Sequence, residues 1–234
     1  MKNDKLIISS AILSVGIVIL GILLYCAIDT FANKDRYVTV RGLSEQCVPA
    51  DQVIWPLQVK DVGNEVTPLY SSVAEKSQKI VAFLKQGGLS DSEISVSAPQ
   101  LYDREAERYA SNDIKQRYQI TAMITVNSSQ VEKVRSLMAK QGDLLAMGIA
   151  IASEDYNAQV SYFFNKLNEI KPQMVEEATR NAREVAEKFA ADSKSKIGGI
   201  MQATQGQFSI EDRDAYTPYI KRVRVVTTVN YSLK

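Results

Sequence analysis

Carboxylates are the side chains of this chain best suited to chemistry, because the sequence contains no histidine. Catalysis by a serine–histidine or cysteine–histidine arrangement is therefore excluded, and zinc loses its usual nitrogen ligand. The carboxylates form two clusters: Asp103, Glu105 and Glu107, and Glu211, Asp212 and Asp214. Such oxygens can bind hard cations, but arginines interleave with both clusters and no calcium-loop pattern occurs. We interpret both clusters as solvated loops and predict no enzyme, catalytic residue, metal or cofactor.

Two single residues are candidates for a redox or binding role. Cys47 lies between Gln46 and Val48, neither of which supplies the positive charge that activates a thiol. The other thiol, Cys26, lies in an apolar N-terminal segment, so no disulfide is expected and packing alone must hold the fold. Trp55 lies among alternating apolar residues and is interpreted as a core or subunit-interface residue.

The N-terminal segment is long and apolar enough to cross a membrane. Residues 6–28 carry no charge, and a helix of about 20 residues crosses the hydrocarbon core. Lys2 and Lys5 precede the segment, which favours an N-terminus inside and a domain outside the cytoplasm. A cleaved signal peptide is the alternative, and it too would export the domain. The chain divides into a predicted anchor or signal segment, a linker and a folded domain: 1–28, 29–36 and 37–234.

The folded part contains both strand and helix patterns. Residues 52–60 form a predicted strand whose apolar residues alternate, and Pro56 indicates that this strand lies at a sheet edge or carries a bulge. A helix is predicted with Thr67 as its N-cap and Pro68 at its first position, ending at the glycines 87–88. The longest helix runs from Pro172 to about Asp192, and its apolar positions share one face: Met174, Val175, Ala178, Ala182, Val185, Ala186, Phe189 and Ala190.

The order helix, Gly-Gly, strand, charged loop and long strand occurs twice, with the second glycine pair at residues 198–199. We therefore predict an α+β fold: an N-terminal transmembrane helix, then one domain of two related halves with helices packed on a mainly antiparallel sheet. The alternative is that the repetition only reflects a general α+β composition.

The alanine-spaced helix at 177–190 is followed by Ser195-Lys196-Ile197-Gly198-Gly199-Ile200. Near the start, residues 38–42 and 48–51 form a strand, a Gly turn and a V-x-A-D step, and residues 205–210 fit the strand after the long helix. This pattern resembles the SIMPL domain family, formerly a domain of unknown function, over roughly residues 37–234. The family includes bacterial periplasmic and outer-membrane antigens. The resemblance implies an exported α+β protein and supplies no catalytic residues.

Some members of the SIMPL family build ring-like or channel-like assemblies, and some are linked to envelope or oxidative stress. This chain differs in keeping an apparent anchor where many members have a cleaved signal. We predict a single-pass protein of the bacterial inner membrane that contacts the lipid bilayer through residues 6–28 and holds its C-terminal domain in the periplasm. Its function is predicted to be non-enzymatic self-assembly or scaffolding.

The predicted partner is a second copy of the chain. Apolar residues of the strand with Pro56 are expected to form the interface of a homo-oligomer: Val53, Ile54, Trp55 and Leu57. The competing interpretation is that residues 37–43 or a loop covers this strand within one chain. Basic and acidic residues balance at 28 and 27, which disfavours nucleic acid as a partner.

Two other functions are open from the sequence. One is a periplasmic module that binds a small ligand in a pocket between the two halves, lined by tyrosines: Tyr102, Tyr109, Tyr156 and Tyr162. The other is a hydrolase that uses carboxylates alone. A concave pocket with convergent polar groups would favour the first, whereas a broad apolar patch beside an open strand would favour assembly.

Overall fold

The computed structural model of the chain describes residues 2–32, 36–106, 115–152 and 158–234. Its helices are α1 (Lys2–Ala32), α2 (Val66–Gln86), α3 (Val131–Ala139), α4 (Gly142–Ala146) and α5 (Leu167–Asp192). Its strands are β1 (Tyr37–Pro49), β2 (Gln52–Gly63), β3 (Ile94–Val96), β4 (Gln100–Asp103), β5 (Tyr118–Ser128), β6 (Ile151–Ala152), β7 (Ser161–Phe163), β8 (Ile197–Gln205), β9 (Ser209–Asp212) and β10 (Ile220–Leu233).

Contacts within the chain divide the protein into two compact units. Unit 1 comprises Met1–Gln46, Ile170–Ser209 and Arg224–Lys234, and unit 2 comprises Cys47–Glu169 and Ile210–Val223. Both units combine helix with β-sheet, and the strand pairs with a defined register are antiparallel. The predicted α+β class with antiparallel sheet is therefore confirmed.

Unit 2 is built on an antiparallel sheet in the strand order β3-β5-β2-β6, with β4 also paired to β5 and β7 to β2. Helices α2 and α3 contact this sheet, and the faces that they share form the core. The core side chains come from several elements: Val53, Trp55, Leu57, Val59, Ile80, Leu84, Ile124, Val126, Val134 and Leu144. The alternation of apolar residues in β2 and β5 places one face of each strand in this core.

The prediction that the strand with Pro56 lies at a sheet edge is wrong. Strand β2 pairs with β5 along one side, from Val53 to Gly63, and with β7 and β6 along the other. The partners on that second side leave a gap: β7 pairs at residues 52–54 and β6 at residues 58–59. Pro56 lies in this gap, which explains how a proline is accommodated in a central strand.

Unit 1 is held together by close packing of α5 on a sheet in the strand order β1-β10-β8. The buried positions of α5 recur every four residues: Met174, Ala178, Ala182, Ala186 and Ala190. Gly42 of β1 lies against this stripe, and a Cβ atom there would overlap the backbone carbonyl of Ala178. Small side chains on the helix and a glycine on the strand therefore bring two backbones into contact.

Several predicted boundaries differ from the observed ones. Gly42 does not end a strand, because β1 continues through it to Pro49. Helix α5 begins five residues before Pro172 and contains that proline. The glycines 198–199 do not end α5 but lie inside β8. On α5 itself, Val185 and Phe189 are exposed rather than packed, because they lie beside the alanine stripe and not on it.

Helix α1 ends at Ala32, within the residues predicted as a linker. Its large apolar side chains between Leu13 and Ile28 are exposed. Among the side chains that the structure describes, no helix is both long enough and apolar enough to cross a membrane.

Candidate functional site

The four residues predicted as an oligomer interface belong to the interior of unit 2. Val53, Trp55 and Leu57 are buried in its core, and Ile54 is half-buried. Val53, Trp55 and Leu57 are covered within one chain, as the competing interpretation had it, but by β5 and the helices of unit 2 rather than by residues 37–43 or a loop. A second copy of the chain could reach Val53, Trp55 and Leu57 only if the core opened.

The first carboxylate cluster is neutralised by an arginine. Arg117 donates from Nε to both carboxylate oxygens of Asp103 at 3.2 Å, and its Nη1 lies 3.3 Å from Glu105. The guanidinium of Arg117 holds the pKa of Asp103 below its usual value. Glu107 lies outside the described residues. Asp103 and Glu105 are therefore ion-pair partners of a surface arginine.

The second cluster closes a turn. Asp214 accepts hydrogen bonds from the backbone N–H groups of Tyr216 and Thr217, at 2.9 and 2.8 Å, and from Arg213 Nε at 2.9 Å. The Thr217 hydroxyl and then Arg213 hold the pKa of Asp214 well below its usual range. Lys221 forms an ion pair with Asp212. Within the described ranges, no group of acidic and cysteine side chains is placed to hold a metal ion.

The tyrosines predicted to line a ligand pocket do not converge where they are described. Tyr102 of β4 pairs with Gln119 of β5, and Tyr162 of β7 pairs with Val53 of β2. Because Gln119 lies opposite Val62, the two tyrosines are nine residues apart along the sheet, or roughly 30 Å. The other two, Tyr109 and Tyr156, lie outside the described residues.

Tyr162 instead packs inside unit 2. Its ring meets the ring of Tyr219 edge-on at 6.2 Å, and its hydroxyl donates to Met138 Sδ at 3.7 Å. The guanidinium of Arg135 covers the other aromatic, 3.5 Å from the Tyr219 ring centroid. Burial raises the pKa of Tyr162, and the cluster is explained by packing.

Strand β8 of unit 1 is exposed, and none of its residues was predicted as part of a site. It lies at the end of the strand order β1-β10-β8, so only β10 pairs with it among the described residues. Every residue from Gly199 to Gln205 is exposed, including Ile200 at 53% and Met201 at 51%. The strand contains neither a charged residue nor a proline. That absence of charge, which extends to Ile210, was a signal available in the sequence.

The exposure of β8 is unusual because proteins normally protect a free strand edge. The usual protection is a lysine or another charge, a proline, a bulge or a covering element. Here the register of β8 with β10 shifts near Tyr231, but Gln202–Gln205 pairs regularly with Thr227–Asn230. A regular, uncharged segment of β8 therefore presents free backbone groups to a potential partner strand.

Unit 2 offers a second feature, an apolar cleft of about 310 Å³ beside α2. Its wall is formed by α2, β5 and the segment around β3, and no charged side chain lines it: Tyr70, Ala74, Ser77, Val81, Val96 and Ala122 contribute. Ser97 also lines the cleft, and its hydroxyl oxygen accepts the Met123 N–H at 3.1 Å. The volume and lining are those of a small site for a neutral molecule.

Comparison with known proteins connects this architecture to one family. Residues 38–230 match the SIMPL family, described as a protein of unknown function (DUF541). No curated protein matches the chain. The match spans β1 and most of β10 and so covers almost the whole of both units apart from α1. The chain therefore belongs to the SIMPL family.

Proposed function

We propose that this protein is a non-enzymatic component of the bacterial cell envelope, in which α1 anchors an exported domain that assembles with further copies or scaffolds partners. The anchor is the uncharged run of residues 6–28, and the domain is expected in the periplasm beside the inner membrane. The observation that carries the assembly function is the unprotected edge of β8.

Assembly is supported by the contrast between β8 and the rest of the molecule. Four of the clustered carboxylates are paired with Arg117, Arg213 and Lys221 or with backbone N–H groups: Asp103, Glu105, Asp212 and Asp214. In contrast, β8 presents apolar side chains and backbone donors and acceptors without protection, the kind of edge that pairs with another chain. A link to envelope or oxidative stress is part of the proposal and rests on the family alone.

The test is the mass of the full chain purified from membranes in a mild detergent, measured by light scattering with the detergent contribution subtracted. Assembly predicts a particle of at least twice the monomer mass of 26.0 kDa at micromolar concentration. A monomer under all detergent and salt conditions that preserve the fold would refute the assembly function.

A second function, binding of a small neutral ligand, is favoured by the cleft beside α2. Its apolar lining and volume of about 310 Å³ suit a neutral aromatic or short aliphatic molecule. The experiment uses the neutral dye N-phenyl-1-naphthylamine, whose fluorescence rises on entering apolar sites. Ala74→Trp, which fills the cleft, should abolish the signal, and the exposed neighbour Glu75→Gln should not. An equal signal from both variants would reject this cleft.

A further inference from the structure

We propose that two copies of the chain pair side by side through β8, in antiparallel orientation, about a two-fold axis that crosses the strand within Gln202–Gln205. The inference rests on the proposed assembly function and names its contact surface. It differs from the predicted interface on β2, whose side chains lie in the core.

The direction of the free backbone groups follows from the pairing of β8 with β10. Gly206 donates its N–H to the Val226 carbonyl at 2.8 Å, so the backbone groups of Gly206 face β10. In a regular antiparallel strand the N–H and C=O of one residue point to the same side and alternate along the chain. The backbone groups of Ala203 and Gln205 therefore face away from β10, toward the free edge.

The other end of the same sheet is a poorer surface for pairing. Strand β1 carries exposed Arg41 and Glu45 and ends at Pro49, which are features that protect an edge from other chains. Strand β8 carries none of them over its nine residues. Of the two ends of the sheet, β8 is therefore the one available to a second copy.

Charge at the start of β8 favours antiparallel over parallel pairing. Lys196 is exposed and directly precedes the strand. Parallel pairing would bring the two copies of Lys196 side by side, where like charges repel. Antiparallel pairing about an axis within Gln202–Gln205 separates the two lysines by at least twelve residue positions, roughly 40 Å. It also uses the same residues on both copies, as a two-fold contact requires.

The first test removes one outward-facing donor. Ala203→Pro deletes an N–H that faces the free edge and leaves the hydrogen bonds to β10 intact, whereas the control Ala203→Ser keeps the N–H. Both are made in the full chain and measured in the same detergent as the wild type, after circular dichroism confirms the fold. The particle mass of Ala203→Pro should fall to half that of the wild type or less, and Ala203→Ser should retain the wild-type mass.

The second test does not depend on how the proline variant folds. In a chain with Cys26→Ser and Cys47→Ser, a single cysteine is introduced by Ala203→Cys, by Thr204→Cys or, on β1, by Glu45→Cys. Mild oxidation should cross-link two copies through position 203 or 204, since a residue at a two-fold axis lies opposite itself, and not through position 45.

The outcomes separate the two claims. A monomeric wild type refutes both the assembly function and the β8 contact. A wild-type oligomer whose mass is unchanged by Ala203→Pro, or one that cross-links only through position 45, leaves assembly standing and overturns the β8 contact.

Discussion

Lys194 adopts a backbone conformation that normally belongs to glycine. Its φ angle is 54°, in the left-handed region, at the end of α5. The N–H of Ser195 bonds to the Ala190 carbonyl at 2.8 Å and that of Lys194 to the Ala191 carbonyl at 3.0 Å. This is the pattern of a Schellman motif with Lys194 in the position that usually holds glycine.

Lys194→Gly should stabilise the protein by about 0.5–1 kcal/mol, because glycine removes the strain of a side chain in the left-handed region. Gly88 is the matched control, since it ends α2 with the same two hydrogen bonds at φ 86°. Gly88→Ala should destabilise the protein by about 1 kcal/mol, because alanine is strained at a positive φ angle. No neighbouring atom blocks the added methyl group, so this strain alone is measured. Urea unfolding of both variants measures the effects, and shifts of the same sign would contradict the argument.

Glu93 ties a short 3-10 turn to the end of β5 through a set of hydrogen bonds. Its carboxylate accepts from the hydroxyl of Ser128, from the backbone N–H and hydroxyl of Ser90 at 2.9 and 2.8 Å, and from Gln130 Nε2 at 3.2 Å. The bond from Ser128, followed by those from Ser90, lowers the pKa of Glu93 from 4.5 to about 2.

A lowered pKa in the folded state means that Glu93 stabilises the protein above pH 4.5 and loses this effect as pH falls toward 2. At pH 7, Glu93→Gln should therefore unfold at a lower urea concentration than the wild type. The loss in the free energy of unfolding should be less than about 1 kcal/mol, because solvent screens the charge of this group. The difference between the two midpoints should narrow below pH 4.5. A gap that stays constant from pH 7 to pH 3 would show that ionisation of Glu93 does not contribute.

At the scale of elements, the close packing of α5 on β1 depends on small residues at the contact. Ala178, Ala182 and Ala186 are fully buried, and Gly42 lies against the helix backbone. Hydrogen bonds flank this contact, from the Ser44 hydroxyl to Glu177 at 2.7 Å and from Asn181 Nδ2 to the Leu43 carbonyl at 2.8 Å. The distance between helix and strand is thereby fixed by small residues and by polar groups on both sides.

Ala182→Leu should destabilise the protein by about 1–3 kcal/mol, because a larger side chain must push α5 away from the sheet. Ala186→Leu and Ala190→Leu should act alike. Glu184→Ala on the exposed face should cost less than about 0.5 kcal/mol. Thermal unfolding followed by circular dichroism compares the two classes, and equal midpoints would mean that the alanine stripe is not the buried face.

The elements that were predictable are those with a strong apolar period. The stripe of α5 and the alternation in β2 follow from residue spacing alone, and the structure confirms them. Gly42 and Pro56 misled the prediction, because each residue type signals a turn or an edge when no packing partner is known. The first proved to be a contact point for α5 and the second to lie in a gap between β7 and β6.

The candidate site was less predictable than the fold, since edge positions are a property of topology. Strand β8 is short of charge in the sequence, but only the strand order shows that it has a free side. The same order places β2 at the centre of its sheet. Apolar residues in a strand therefore indicate burial, and whether the burial is within one chain or between chains depends on pairings far apart in sequence.

At the scale of the whole molecule, the proposed function joins an apolar helix to a folded domain. The described apolar side chains of α1 are exposed on every side of the helix, with Val15, Val18, Leu20 and Leu23 all more than half exposed. A helix that is apolar on all sides is normally buried, in a protein core or in a membrane, rather than exposed to water. Under the proposed function, residues 6–28, a run without charge, would cross the bilayer.

The anchor is tested by extraction of membranes with alkaline carbonate, which releases peripheral proteins and leaves integral ones. The full chain should stay in the membrane pellet at its unprocessed size, and protease added to spheroplasts should digest the domain. Leu20→Arg places a charge in the middle of the segment at a cost of about 3 kcal/mol, so this variant should shift toward the supernatant, whereas Tyr25→Phe should not. Release of a shortened chain by carbonate would establish a cleaved signal instead, and protection of the domain in spheroplasts would reverse the orientation.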